Sequence, residues 1–329
     1  MKKATWYYAQ GRKDQFKQDV ENLTRCGVGT VLVNSPDEET TQSFQRLLEN
    51  KGPEFHVEFS LNELYSRAMG RPEPAALPSR PEEYRQLFPA GAKPYPLCCW
   101  SGIKDFSPLT GYLRGYVKNH PFVKGISLDH IRYPNTVFQE TNPCECEGCK
   151  ERRRPWLGRD ILSDEDIKDP SIMYMEVESK VQVITRLVQA LSAVAREMRV
   201  RFSSAGRAVY AGRDTAFNPR PTWGYGPAIF EGQDWVAWCR DGLLDDIHIM
   251  NYSTDMARFE RLARQHKALL TGSKAAAYEA LGIDSSAGEM SPELLRRQIQ
   301  LTRDIGLDGV TMFWIGSMTE EHLRVLERA

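Results

Sequence analysis

Amphipathic helices that end at a glycine alternate with short apolar strands along the whole chain. The stretch DQFKQDVENLTRCG places Phe16, Val20 and Leu23 on one helical face, and the β-branched run GTVLVNS follows it. Near the other end, SPELLRRQIQLTRDIG begins at a capping serine, ends at a glycine and precedes the strand DGVTMFWIGS. Because helices and strands alternate, the sequence predicts an α/β fold with a parallel sheet and helical crossovers.

Eight strands are predicted, at 4–9, 29–34, 55–61, 125–131, 200–206, 246–251, 275–280 and 309–315. Eight such units in 329 residues fit a closed (β/α)8 TIM barrel, with residues 1–329 forming one domain and a long loop, 135–171, after the fourth strand. An open doubly wound sheet is the alternative. The glycine-rich phosphate turns that such a sheet would carry, G-x-G-x-x-G and G-x-x-x-x-G-K-[ST], are absent from the sequence.

Charge and hydropathy argue against several classes of partner. The chain has 43 lysines and arginines against 44 acidic residues, so no basic field points to nucleic acid. The sequence has no run of 18 apolar residues that would span a membrane, and MKKATWYYAQGRKDQ lacks the apolar core of a signal peptide. Seven cysteines do not suggest a disulfide framework. We therefore expect a cytoplasmic protein, unless a signal peptide has been removed.

The candidate functional residues follow from the predicted barrel, because active sites of such barrels lie at the carboxyl ends of the strands. GISLDHIRYP runs from the fourth strand into four polar or aromatic side chains, namely Asp129, His130, Arg132 and Tyr133. The other strand ends supply Trp6, Arg207, Asn251, Tyr252, Glu279 and Trp314. We interpret the aromatic and polar members as substrate-binding residues, since the C–H face of a sugar ring stacks on an aromatic ring.

The two carboxylates, Asp129 and Glu279, are the predicted catalytic pair. Glycoside hydrolysis needs one carboxyl group to protonate the leaving oxygen and another to attack or to activate water. Each residue also has a structural interpretation. Asp129 and Arg132 would form a simple ion pair that ties down a loop, and Glu279 in AAAYEALG would belong to a helix, since Ala, Glu and Leu favour helices.

Three stretches of the chain resemble a known group of proteins. GISLDHIRYP is similar to the D-G-I-H-L-D-Y-I-R-Y-P signature of glycosyl-hydrolase-like TIM-barrel proteins, distant relatives of barrels that cleave amino-sugar exopolysaccharides. DDIHIMNYSTD resembles their D-x-x-x-P-M-N-Y strand, and SPELLRRQIQLTRDIGLDGVTMFWIGS resembles their closing helix and strand. The resemblance implies that Asp129 is catalytic and that Arg132 and Tyr133 shape the site. His130 and Ile249 depart from the pattern, which has tyrosine and proline there, and Glu279 has no counterpart in the matched part.

These observations predict a glycoside hydrolase that acts on a carbohydrate and needs no cofactor for catalysis. By analogy of fold, barrels of the large retaining glycosidase clan carry carboxylates at strands 4 and 7 and a tyrosine after strand 6, where Asp129, Glu279 and Tyr252 stand. The alternative is a carbohydrate-binding barrel without catalytic activity. A metal-dependent hydrolase of the amidohydrolase type is disfavoured, because no two of the six histidines form His-x-His.

Three cysteines, Cys144, Cys146 and Cys149, lie within six residues after the fourth strand. Thiolates at C-x-C-x-x-C spacing are typical ligands of a structural zinc ion, which needs a fourth ligand. The sequence offers four candidates for it: Cys98, Cys99, Cys239 and His120. An iron–sulfur cluster and three free thiols are the alternatives. We expect a zinc ion here to hold the loop 135–171 in place rather than to take part in catalysis.

Overall fold

Eight parallel strands close into a barrel in the order β1-β10-β7-β6-β5-β4-β3-β2. The computed structural model describes residues 1–48, 52–72, 74–82, 99–133, 143–211 and 227–329. The barrel strands are β1 Lys2–Tyr7, β2 Thr30–Asn34, β3 Glu54–Ser60, β4 Gly125–Asp129, β5 Arg201–Arg207, β6 Asp246–Met250, β7 Ala276–Gly282 and β10 Gly309–Phe313. Two short strands, β8 Asp284–Ser285 and β9 Gly288–Glu289, form a separate hairpin. The predicted (β/α)8 barrel is confirmed.

The described helices surround the barrel. They are Phe16–Arg25, Glu38–Leu48, Leu61–Met69, Ser107–Asn119, Glu147–Leu157, Asp164–Lys168, Pro170–Met198, Trp235–Arg240, Met256–Leu269, Pro292–Ile305 and Glu320–Glu327. Capping explains their boundaries: Ser291 accepts a hydrogen bond from the N–H of Leu294, and Gly306 ends the same helix at a φ of 80°. Within the described ranges, none of these helices combines the length and apolarity that crossing a bilayer requires.

The segment after β4 is more ordered than a loop. Its described part, which begins at residue 143, contains the helices Glu147–Leu157 and Asp164–Lys168. The carboxylate of Asp169 then caps the next helix, Pro170–Met198, by accepting from the backbone N–H groups of Ser171 and Ile172. The prediction of a long loop over 135–171 is therefore wrong for this part, and residues 134–142 lie outside the described ranges.

Side chains alternate between the narrow interior of the barrel and the layer beneath the helices. Trp6, Leu32, Ala205 and Ala280 come from four different strands and pack into one small cluster, so these positions face the interior. Apolar neighbours of these residues on the same strands belong to the much larger apolar cluster that joins the barrel to its helices, namely Tyr7, Val31, Val33 and Leu281. A shift of one residue along a strand therefore moves a side chain from one environment to the other.

A buried ion cluster anchors the helix Glu147–Leu157 to the long helix Pro170–Met198. The carboxylate of Glu176 accepts from Arg152 Nη2 at 2.7 Å and from Arg153 Nη2 at 3.0 Å, and it lies 3.1 Å from Lys180 Nζ. All four side chains are nearly or wholly buried. Because the cations surround the carboxylate, the pKa of Glu176 lies well below its ordinary range even though burial opposes its charge.

We expect Glu176→Ala to destabilise the protein by about 3–5 kcal/mol, because it leaves buried cations without their carboxylate partner. The measurement is urea-induced unfolding followed by circular dichroism. Glu197→Ala is the matched control: this glutamate lies on the same helix and pairs with Arg114 at 2.8 Å in solvent. The control should change stability little, and equal effects of the two substitutions would contradict the prediction.

Candidate active site

Two adjoining cavities open at the carboxyl ends of the strands. One has a volume of 260 Å³, and its described lining consists of Trp6, Tyr8, Asp129, His130, Arg132, Arg207, Ala208, Val209, Met250, Tyr252, Arg258, Ser286 and Phe313. The other, of 890 Å³, is more polar and extends past Asp14, Asn34, Asp37 and Glu63. Tyr8, Asp129 and His130 belong to both linings, so the two cavities meet at the end of β4.

Asp129 is the last residue of β4 and faces the interior. Its Oδ1 accepts from the backbone N–H of His130 at 2.6 Å, and Arg132 Nη1 lies 3.7 Å from the same oxygen. Burial opposes the negative charge, but His130, Arg132 and Arg207 outweigh it and hold the pKa of Asp129 below its ordinary value of 3.8. Because its side chain remains 16% exposed, this ionised carboxylate is accessible from the cavity.

His130 follows in a left-handed backbone conformation, with φ of 54°. Its Nδ1 lies 3.2 Å from Arg132 Nη2, and its Nε2 lies 3.5 Å from Asp129 Oδ2. Burial lowers the pKa of the His130 imidazole to about 4. The ring is therefore neutral at pH 7, where it serves as a polar wall of the cavity rather than as a cation.

Glu58 is a second interior carboxyl group next to Asp129, and the sequence analysis did not identify it. Glu58 is fully buried on β3 and pairs with Ser127 in the strand register. Asp129 pairs with Ser60, which is two residues further along β3, so Glu58 lies one layer deeper in the barrel than Asp129. Trp6 Nε1 donates to Glu58 at 2.5 Å, and Asn34 Nδ2 and Ser127 Oγ donate at 3.3 Å. The available signal was the acidic residue between Val57 and Phe59 within the strand EFHVEFS.

The environments of Glu58 and Asp129 move their pKa values apart. Burial, followed by the negative charge of Asp129, raises the pKa of Glu58 to about 8. At neutral pH the barrel therefore holds a protonated carboxyl group beneath an ionised one. Carboxyl groups that are pushed to opposite protonation states are characteristic of sites that perform acid and base chemistry.

Two arginines at the rim are oriented by Glu231, another residue that the sequence analysis missed. Glu231 is fully buried in the short turn Ile229–Glu231. Arg207 donates to both of its oxygens, at 2.9 and 3.1 Å, and Arg132 Nε lies 3.4 Å from Oε2. Arg132 therefore lies between Glu231 and Asp129. Both guanidinium groups are therefore held at the cavity wall by the same buried carboxylate.

Aromatic side chains form the opposite wall. Tyr252 stacks on Phe313 with ring centroids 5.0 Å apart and an angle of 28° between the planes. Trp6 contacts Phe313 edge-on at 5.9 Å. Trp314 lies at the rim, edge-on to Tyr8 at 5.4 Å, and the described lining of the two cavities does not include it. Trp6 and Tyr252 are thus in position to contact a ligand.

Glu279 does not face the cavity, so the predicted cleft between Asp129 and Glu279 is wrong. It lies on β7, as expected, but the interior position is the adjacent Ala280. Glu279 instead points to the helix Met256–Leu269, where its Oε1 accepts from His266 Nδ1 at 2.6 Å. The alternation of side chains along the strand is the physical reason, because neighbouring residues face opposite sides of the barrel wall.

His266 carries a positive charge in this buried pair. Its Nδ1 contacts Glu279 Oε1 and its Nε2 contacts the carbonyl oxygen of Ala208, both at 2.6 Å, so both ring nitrogens must donate. Burial works against the charge, but the Glu279 carboxylate and the hydrogen bonds outweigh it and raise the pKa of His266 above 6.5. The pair therefore stabilises the contact between β7 and a helix.

Tyr133 and Asn251 are also not in the cavity. The Tyr133 hydroxyl hydrogen-bonds Ser101 Oγ at 2.8 Å, and its backbone N–H donates to the carbonyl of Glu231, so the buried ring packs behind the rim. Asn251 is fully buried, and its amide donates to the carbonyl of Phe259 at 3.1 Å. Both follow the ends of their strands, where the chain turns outward toward the helices. Their prediction as substrate-binding residues is wrong.

The three predicted thiols converge, and the fourth is Cys99. The Sγ atoms of Cys99, Cys144, Cys146 and Cys149 all lie within 4.8 Å of one another. Other candidates for the fourth ligand are elsewhere: His120 pairs with Glu38 at 3.0 Å, and Cys239 does not belong to this group. Cys98 lies outside the described residues.

No protein-family model matches the chain, and no curated protein sequence matches it. Solved structures with the same fold do. The glycoside hydrolase domain of PgaB (BpsB) from Bordetella bronchiseptica has a TM-score of 0.64 at 11% identity, over 99% of this chain and 98% of that one. The catalytic domain of β-amylase from Paenibacillus polymyxa has a TM-score of 0.62 at 10% identity, over 99% and 97%.

A GH18 chitinase from Cycas revoluta, in complex with (GlcNAc)4, has a TM-score of 0.53 at 9% identity, over 100% of this chain and 99% of that one. At such identities these similarities establish the fold. They confirm, at that level, the resemblance to glycosyl-hydrolase-like TIM barrels that the sequence motifs indicated.

We expect Glu279→Gln to lower the free energy of unfolding. The cavity itself should be unaffected, because Glu279 is not part of its described lining. The substitution leaves the His266 cation without its partner carboxylate, which costs about 3–5 kcal/mol at low pH. Because the pKa of His266 is raised, the stability that the pair contributes is full below pH 6.5 and is lost as the pH rises through that pKa. Chemical unfolding of both proteins between pH 5 and pH 9 measures this difference, and a difference that does not change with pH would contradict the assignment.

The raised pKa of Glu58 predicts a second pH dependence of stability. Its contribution is full below its ordinary value of 4.5 and is lost as the pH rises toward about 8, at about 1.4 kcal/mol per pH unit. Glu58→Gln keeps an amide at this position and does not titrate, so the stability of the wild type relative to this variant should fall over that range. Melting temperatures of both proteins from pH 4.5 to pH 9 test it; parallel curves would show that Glu58 titrates normally.

Proposed function

We propose that this protein is a glycoside hydrolase and that Asp129 is its catalytic carboxylate. The observation that carries the proposal is an accessible, ionised carboxylate at the carboxyl end of a barrel strand, facing a cavity with an aromatic wall. Glycosidic bond cleavage passes through an oxocarbenium-like transition state, which a carboxylate stabilises by its charge or by attack. The glycoside hydrolases among the solved structures of this fold support the same reaction class.

The charges around Asp129 favour a nucleophilic or electrostatic role over that of a general acid. A general acid must carry a proton at working pH, and Arg132 and Arg207 oppose protonation of this carboxylate. Glu58 does carry a proton, but it is fully buried and accepts a hydrogen bond from Trp6 Nε1. We assign Glu58 as a positioning residue, which acts on Asp129 through its charge state and orients the indole of Trp6.

The composition of the cavity wall supports a carbohydrate as substrate. Tyr252, Phe313 and Trp6 present ring surface on one side, while Arg132 and Arg207 present hydrogen-bond donors on the other. A sugar ring offers a C–H face to the rings and hydroxyl groups to the donors. Two solved complexes of this fold, both of the Cycas revoluta chitinase, contain (GlcNAc)4 and (GlcNAc)3, so N-acetylglucosamine oligomers are the first substrates to test.

A carbohydrate-binding barrel without activity is the second candidate. Asp129 is the one carboxylate in the described lining of the 260 Å³ cavity, whereas most glycoside hydrolases use two. The adjoining cavity contributes Asp14, Asp37 and Glu63, which belong to its described lining. A binding protein would keep the aromatic wall and the arginines and would need no catalytic carboxylate.

We expect Asp129→Asn to lower kcat for glycoside hydrolysis by at least about 100-fold, because the amide carries no charge and is a poor nucleophile. The assay uses aryl glycosides and N-acetylglucosamine oligomers, with sugar binding measured separately by calorimetry. Asp304→Asn, at an exposed residue of the helix Pro292–Ile305 outside the described linings of both cavities, is the matched control and should retain activity. Sugar binding by a wild type that cleaves none of these substrates would favour the second candidate.

A further inference from the structure

We propose that Cys99, Cys144, Cys146 and Cys149 bind one zinc ion in a tetrahedral tetrathiolate site. The site lies behind residues 129–133 at the end of β4, which we call the rim motif. Zinc–sulfur bonds of about 2.3 Å in a tetrahedron place the sulfur atoms about 3.8 Å apart. Here Cys99 Sγ lies 3.3 Å from Cys149 Sγ and 3.4 Å from Cys146 Sγ, and all four sulfurs lie within 4.8 Å of one another. All four cysteines are free thiols. A small adjustment around the ion satisfies the tetrahedron.

The backbone around the thiols has the shape of a metal-binding turn. Cys146 and Cys149 flank the first turn of the helix Glu147–Leu157, and the backbone N–H of Cys149 donates to the carbonyl of Cys146. Gly148 within this turn packs directly on the backbone of Gly102, where any β-carbon would collide. The N–H of Leu77 donates to Cys144 Sγ at 3.3 Å, as expected beside a thiolate. The turn is therefore held in place by contacts on both sides.

The charges next to the thiols provide an independent reason for an anionic metal site. A zinc ion with four thiolates carries a net charge of −2. Arg152, Arg153 and Lys180 share the carboxylate of Glu176, so among the described contacts of this group three cationic side chains face one carboxylate. Arg152 Nε donates to Ser101 Oγ at 3.1 Å, and Cys149 Sγ lies 3.4 Å from the same oxygen. Buried positive charge beside four sulfurs is unfavourable with neutral thiols and favourable with a tetrathiolate.

The site would join two segments that are distant in sequence and connect them to the rim. Cys99 precedes β4, and the other three cysteines follow it. Trp100, next to Cys99, donates from Nε1 to the carbonyl oxygen of Arg132 at 2.8 Å, and Ser101 Oγ hydrogen-bonds the Tyr133 hydroxyl. A zinc ion at this position therefore supports the backbone that follows Asp129. The role is structural, because four thiolates close the coordination sphere.

The first experiment measures metal in the full-length protein purified without chelator. We expect about one zinc per chain by mass spectrometry, and cobalt substitution should give the sulfur-to-cobalt charge-transfer and visible bands of a tetrahedral thiolate site. Cys99→Ser should lower the zinc content at least tenfold or abolish the charge-transfer spectrum. Cys239→Ser, at a buried cysteine outside the cluster, is the matched control and should keep both.

Three outcomes would overturn the proposal: wild-type protein with neither zinc nor iron and four reactive thiols, protein that contains iron instead, or Cys99→Ser with unchanged zinc and cobalt spectra. If Cys99→Ser does not fold, the folded wild type is treated with a mercurial reagent instead. The proposal then predicts that zinc is released as the thiolates react. Hydrogen exchange then tests the structural role: the peptide containing residues 129–133 should exchange faster after zinc release, and peptides from β7 should not. None of these measurements depends on glycosidase activity.

Discussion

The alternation of side chains in a closed barrel decides which residues of this protein can act together. The interior is narrow and admits every second side chain along each strand. The phase of a strand, meaning which of its two alternating sets of side chains faces inward, therefore decides which residues lie in the interior. Glu58, Ser127 and Asp129 share the interior because they have the same phase on neighbouring strands. Glu279 has the opposite phase on β7 and becomes part of the layer beneath the helices.

Within this interior, electrostatics makes two chemically similar groups different. Asp129 lies where the strand meets the cavity and where two guanidinium groups approach it, and it is ionised. Glu58 lies one layer deeper, away from solvent and next to that negative charge, and it holds its proton. Two charges so close would be unfavourable in a buried site, and protonation of the deeper group removes the conflict.

The rim motif is supported from behind by a second polar region. Glu231 orients the two arginines, and the turn at Trp100 holds the carbonyl of Arg132. This turn begins beside the four thiols, which in turn adjoin the buried cluster around Glu176. Because these contacts run from the thiols to β4, changes in the cysteine cluster should reach the cavity through the backbone.

The barrel could be predicted from the sequence, because hydrophobic periodicity and helix caps are local properties that neighbouring residues determine. The end of β4 was identified for the same reason: Asp129, His130 and Arg132 follow directly on a buried strand. The tertiary structure added Glu58 and Glu231 and selected Cys99 from four candidates, and each of these residues lies far along the chain from its partners. Glu279 shows the other limit, since strand ends predicted to within a residue or two do not determine which way a side chain faces. Pairing of the strands into one register decides that, and pairing is a property of the closed barrel as a whole.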